Sequence, residues 1–342
     1  VSDSNLSALA VSPYTGTGLP FSPGGASAVQ VWDPETKMSR AKKATLGLEH
    51  DLGNGLTVSS KVTYTEFSNL QYLQNINLNQ GGVATAGVNG FGGSTPFNDG
   101  YGNLQNSFTR TNRPNTAIVR GHVLDFRPAA LAAGNPAGGF GDVYLVKGDA
   151  IGKYKGLNFE VKKNWSPDAG FQANVTFSRA KDQNSNERGT FTSATGVNSE
   201  LALAATTNPA NPRNDMGYGW ADRFMVLNAM AYFPVYYGVK GSVRFNYSTG
   251  LPYSALSGQD LNGDGVFNDI LYGGRNGQRQ PDTKTVDVRL TRAWKVYKQY
   301  EVEVSLDVFN ALNWANQFVS DSQQVATTSA GAFSPTYAAV GG

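Results

Sequence analysis

Apolar side chains take every second position in stretch after stretch of this chain. Leu56, Val58, Val62 and Tyr64 alternate with Thr57, Ser59, Lys61 and Thr63. Phe171, Ala173, Val175 and Phe177 alternate with Gln172, Asn174, Thr176 and Ser178. Tyr300, Val302, Val304, Leu306 and Val308 alternate with Glu301, Glu303, Ser305 and Asp307. A period of two predicts strands with one apolar and one polar face. The same pattern predicts strands at about 43–52, 56–75, 171–182, 221–233, 239–249, 284–293 and 300–310. Another strand reaches Trp165, with Leu157, Phe159 and Val161 opposite Asn158, Glu160 and Lys162. A small hairpin is expected around 115–127 and 141–148. Residues 1–42 and 311–342 carry little alternation.

The connections sort these strands. Four are short: Gly53–Gly55, Ser166–Gly170, Pro234–Gly238 and 295–299. Gly and Asn there supply the positive φ that tight hairpins need. Four are long and polar: 76–114, 183–217, 250–282 and 311–342. Short turns at one end and long loops at the other are the plan of a transmembrane β-barrel. Compact water-soluble domains rarely carry several such loops. Aromatic residues gather near three short turns: Trp165 and Phe171, then Phe233, Tyr236 and Tyr237, then Trp294, Tyr297 and Tyr300. Amphipathic rings favour the headgroup layer, so these eight residues are the expected interface girdle. The first turn has none. Lys61, Glu160, Lys162, Lys240, Arg244, Asp287, Arg289, Glu301, Glu303 and Asp307 alternate with the apolar residues and are expected to line a wet lumen, with Glu301 and Glu303 pairing Arg289 or Lys240. A soluble β-sandwich or solenoid with the apolar face as its core is the competing architecture. The expected fold is all-β: an antiparallel transmembrane barrel portion over residues 1–342, with its strands within 43–310.

Composition adds exclusions. Charged residues make up 16% and the net charge is +2, so no basic field points to nucleic acid. Cysteine is absent, which excludes disulfides and thiolate metal sites. No run of about 18 apolar residues occurs, so a transmembrane helix is excluded. The opening residues "VSDSNLSALAVSPYTGTG" lack a signal peptide's basic start and apolar core. An exported protein with this opening is a mature form or a fragment.

One loop carries candidate chemistry. "DLNGDGVFND" sets Asp260, Asn262 and Asp264 at spacings of two, followed by Gly265. That matches the first half of an EF-hand-type calcium loop, with the Val266 carbonyl and Asn268 as further donors. Leu271 stands where a bidentate Glu is expected, and Asp269 is the substitute. The alternative is an Asx-rich turn that needs no metal. Calcium is the only cofactor candidate. Nothing points to an enzyme. His50 and His122 lack zinc-site spacing, and "GFGGS" at 90–94 has no strand–helix context.

Several segments together resemble the TonB-dependent outer-membrane receptors, specifically the Oar-like group. They are "FNYSTGLPYS" at 245–254, "DLNGDGVFND", "GRNGQRQPDTKTVDVRLTRAW" at 274–294 and "VSLDVFNALNWAN" at 304–316. "YKGLNFEVKKNWSPDAGFQANVTFSRAKDQNSN" at 154–186, "NPRNDMGYGWADRFMVLNAMAYFP" at 211–234 and 37–66 also fit. The resemblance implies a large barrel with a lumenal plug, outer-membrane lipid around it, and a segment that engages the TonB complex. It implies energy-coupled passage of a ligand across the outer membrane of a Gram-negative-type bacterium. Residues before 37 match neither plug nor coupling segment, so the resemblance is to the C-terminal part of such a barrel. A structural or assembly barrel that holds other envelope proteins, and a passive pore, are the alternatives.

Overall fold

The structure is a computed structural model and describes residues 29–80, 96–98, 104–106, 108–109, 116–119, 122–125, 143–183, 215–256, 261–263, 269–298, 300–321 and 336–339. Its frame is a row of eight antiparallel strands in sequence order. They are β1 (Arg40–Asp51), β2 (Leu56–Asn75), β3 (Val143–Ser166) and β4 (Ala169–Asp182). They continue as β5 (Met225–Pro234), β6 (Val239–Ser248), β7 (Thr283–Tyr297) and β8 (Tyr300–Val308). Each pairs only with its sequence neighbours in the row, and β1 and β8 do not pair with each other.

The tight turns explain the hairpins. Gly53, Asn54 and Gly55 all have positive φ (81°, 52° and 73°), and Asp51 caps the turn by accepting the Gly53 amide at 2.8 Å. Gly55 also packs against β3, where Asn164 donates its amide to the Gly55 carbonyl at 2.9 Å. A Cβ at Gly55 would lie 2.5 Å from the Asn164 carbonyl oxygen. Gly55→Ala is therefore expected to cost about 1–2 kcal/mol, from left-handed strain alone before the overlap is relieved. A denaturant midpoint in vesicles reads the loss.

The register fixes the faces, because residues directly opposite in a sheet share one. Leu46, Val62, Leu157, Phe177 and Met225 form one row. His50, Val58, Val161, Ala173, Ala229, Phe245 and Val286 form another. The opposite face carries rows such as Ser59, Glu160, Asn174, Asn228, Asn246 and Thr285. The short-turn tips step progressively along the sheet. Asp51, at the end of β1, shares a row with Asp287, and β7 continues ten positions further to Tyr297. Strands that slant across a barrel wall need such a stagger.

Burial decides what the apolar face meets. Leu46, Leu48 and Leu306 are 70%, 72% and 60% exposed, and no second layer covers this face among the described residues. The apolar residues that are buried lie elsewhere, at the long-loop end. There Val143, Leu145 and Val146 pack with Tyr72 and Leu73, beside a short parallel strand Val29–Trp32. A sandwich would bury the strand centres and expose the ends, so this distribution is inverted for a water-soluble protein. The inner stretch of each strand, Leu56 to Tyr64 on β2 for example, matches the 9–11 tilted residues that cross a bilayer. The chain is a wall section of an antiparallel transmembrane β-barrel.

Several boundaries differ from expectation. Val29–Trp32 is a strand within a region that reads as irregular, because its alternation is only four residues long. Val143 opens the long strand β3 rather than closing a small hairpin, and the hairpin itself is Thr116–Val119 with His122–Asp125. β5 starts at Met225, because the Asp222 amide bonds the Gly219 carbonyl (2.8 Å) in a turn just before it. β7 extends to Tyr297, leaving a tighter turn with Lys298 at φ 47°. Gln317–Asp321 pairs with Thr336–Ala339 in a stretch where no strand is expected.

Candidate functional site

The polar face comes first. The register places Lys61, Glu160, Lys162, Lys240, Arg244, Asp287, Arg289, Glu301, Glu303 and Asp307 on this one face. Between them runs a band of amides and hydroxyls. Asn158 donates to Thr176 (2.8 Å), Asn228 to Asn174 (3.2 Å) and Asn246 to Thr285 (3.2 Å), while Gln172 donates to Glu160 (2.9 Å). The ion pairs differ from the expected ones. Arg289 meets Asp307 directly across the hairpin at 3.0 Å, and Lys240 reaches Asp168 in the neighbouring turn at 2.8 Å. Glu301 and Glu303 make neither contact, because Asp307 is the register partner of Arg289 and lies closer. Both pairs are largely exposed and contribute little to stability.

The aromatic residues stand at the short-turn ends of the strands. Trp165, Phe233, Tyr236, Tyr237, Trp294, Tyr297 and Tyr300 are all exposed, and Phe171 is half-buried. Tyr236 and Tyr237 meet edge to face with centroids 4.4 Å apart. Arg292 lies 4.9 Å from the Trp294 ring on the same face. His50 sits on the apolar face opposite Val58, and His122 pairs with Val119 in its hairpin.

The long-loop end holds the densest chemistry. The described residues 269–283 fold back over β4 and the 215–224 segment, held by two arginines. Arg275 is buried and donates to the carboxylate (2.9 Å) and main-chain carbonyl of Asp182 and to the Asp215 carbonyl (3.0 Å). Arg279 donates to the Asp222 carboxylate and carbonyl. Asp222 has no exposed side-chain surface, and it also accepts the Ala180 amide at 2.5 Å and faces Arg179 at 3.4 Å. The rings join in, with Arg279 4.5 Å and Arg179 5.4 Å from the centre of Tyr218.

Beside this pair, Arg223 donates to the Ser248 hydroxyl (2.6 Å) and the Thr249 carbonyl (2.7 Å). Burial lowers the Arg223 pKa from its usual value, and the Asp282 charge opposes the drop. Asp282 itself accepts the Gly250 amide (3.0 Å) and the Tyr247 hydroxyl (2.5 Å). Close approach demands glycine here. A Cβ on Gly250 would lie 1.7 Å from the Gln280 carbonyl, and one on Gly217 would lie 2.3 Å from the Arg275 carbonyl. None of these arginines or aspartates stands out by periodicity. The only sequence signal is a set of charges inside otherwise Gly/Asn-rich loops.

Of the candidate calcium loop, Asn262 and Asp269 are described and both are buried. Asp269 accepts the Leu261 amide at 2.7 Å and the Asn262 amide at 3.4 Å. Asp260, Asp264, Val266 and Asn268 lie outside the described residues.

No family model matches the chain, and no curated protein matches it. Among solved structures it is similar to the FrpB iron transporter of Neisseria meningitidis, at 13% identity and a TM-score of 0.41 over 87% of this chain. It is also similar to the outer membrane transporter YddB of Escherichia coli, at 9% identity and a TM-score of 0.49 over 92% of this chain. The chain spans 30% and 33% of the length of these two structures, about a third of each.

Proposed function

We propose that this chain forms part of the wall of an outer-membrane transporter of the TonB-dependent kind, in a Gram-negative-type bacterium. Ligand meets the long loops first and then passes along the polar face. The observation that carries the reading is the continuous polar face across the row of strands, set against a bare apolar face. The eight described strands pair in sequence order without closing on themselves, which is consistent with a section of a larger wall. Asp222 and Arg275 tie the described part of one loop to β4 at the rim.

The test uses the product of the full-length gene in planar bilayers. The intact protein is expected to stay closed, to open when mild urea unfolds the plug, and to bind the periplasmic domain of TonB. A constantly open intact protein would establish the passive pore instead. Silence in both states, with no TonB binding, would establish a structural or assembly barrel.

The Asp260–Asp269 loop is proposed to take calcium. Asp269 accepts the Leu261 and Asn262 amides, which sets its carboxylate beside the first residues of the motif. Calcium is expected to slow proteolysis within 257–269, and Asp264→Ala to abolish that protection. Equal cleavage with and without calcium reduces the motif to a turn.

A further inference from the structure

The apolar face changes character abruptly on its first four strands. Going from the short turns toward the long loops, the Leu46–Val62–Leu157–Phe177 row is the last apolar one. The next row is Ala44, Tyr64, Lys155 and Arg179, and the one after it is Lys42, Glu66, Lys153 and Lys181. Lys42, Lys153, Lys155 and Lys181 are all exposed. Glu66 is the single carboxylate within these two rows and accepts a hydrogen bond from the Tyr64 hydroxyl at 2.7 Å. Among the described residues none of the four lysines pairs with a carboxylate. Lys181 lies 4.6 Å from the Tyr218 ring, and Arg179 lies 4.3 Å from Phe224.

This concentration belongs to one face and one half of the wall. The opposite face at the same height carries Lys43, Thr65, Tyr154 and Ala180, then Thr45, Thr63, Gly156 and Ser178. On the apolar face of β5 to β7, the row of Leu227, Tyr247 and Lys284 holds one cation. Lysines placed only to reach water from a membrane edge would be spread around the wall. Here they crowd onto three gaps between strands, about 15 Å in width, and four lysines outnumber Glu66, the one carboxylate in their rows, while Arg179 is already paired with Asp222.

We infer that this patch binds the phosphates of an anionic glycolipid in the outer leaflet. The acyl chains would lie on Leu46, Val62, Leu157 and Phe177, and the lysine ammonium groups would donate to phosphate oxygens directly above. Charge complementarity names the headgroup, and continuity with the apolar rows names a lipid over a soluble anion. The inference rests on the placement of this wall in an outer membrane.

The test reconstitutes the full-length protein into phosphatidylcholine vesicles containing diphosphoryl lipid A and counts retained lipid by native mass spectrometry. In the triple variant Lys153→Gln, Lys155→Gln, Lys181→Gln, lipid A affinity is expected to fall about a hundredfold, each lysine at an anionic surface contributing roughly a factor of five. The corresponding triple Lys→Arg variant is expected to retain it, and Lys298→Gln in an exposed turn at the short-turn end to leave lipid A affinity unchanged. Flotation with plain phosphatidylcholine vesicles reports membrane insertion separately, and its failure for the parent overturns the membrane reading itself. The inference is overturned if the Gln variant floats and binds lipid A like the parent. It is also overturned if dephosphorylated lipid A binds equally, or if millimolar inorganic phosphate strips the lipid and so marks a small-anion site.

Discussion

Val175→Lys is expected to lower stability in a bilayer by about 2–4 kcal/mol, while Asn174→Lys, one residue away on the same strand, leaves it within about 0.5 kcal/mol. Val175 sits between Phe159 and Leu227 on the apolar face, midway along the bilayer-crossing part of β4. An ammonium group there must enter hydrocarbon. Asn174 sits between Glu160 and Asn228 on the other face, where a new cation gains a carboxylate neighbour. Urea titration of folding into lipid vesicles measures both. Nearly equal losses would mean that both faces meet water, and the barrel reading would fail.

The second large effect is at the rim. Asp222→Ala is expected to cost about 3 kcal/mol, because it removes the partner of a buried charge pair and leaves the Ala180 amide without an acceptor. Arg279 and Arg179 keep some contact with water, which holds the loss at the low end of the range for broken buried pairs. The loop 249–283 should then become open to trypsin at Arg275 and Arg279. Lys240→Ala also removes a close ion pair, to Asp168 at 2.8 Å, but an exposed one, and is expected to change stability by less than about 0.5 kcal/mol. If the two variants behave alike, Asp222 does not hold the loop.

These two experiments mark the border of what the chain's own pattern reveals. The wall is legible because a strand repeats every two residues, so Leu157, Phe159 and Val161 declare their face without knowledge of any partner. The turn at Gly53–Gly55 is legible because positive φ has a residue signature. The rim is different. Arg275 and Asp182 are far apart in sequence, and their contact depends on where a loop folds back. No local rule brings them together. The boundary of β5 fails for the same reason, since the Gly219–Asp222 turn is set by contacts of Asp222 with β4 and Arg279. Pairing by charge alone also misleads on the polar face. Register, which puts Asp307 opposite Arg289, outranks the proximity in sequence of Glu301 and Glu303.

The strictly sequential row of strands gives the two ends of the wall unequal freedom to evolve. Doubling the length of a flexible loop raises its closure cost by only about 0.6 kcal/mol. The long-loop end can therefore accept insertions, and with them new ligands, while the pairing beneath stays the same. The short-turn end has no such latitude. One residue added within a strand beside Gly53–Gly55 or Pro167–Asp168 slips the register by one and turns lysines and glutamates toward lipid. Variation among descendants of this chain should thus collect at one end of the molecule, with the other end held nearly constant in length.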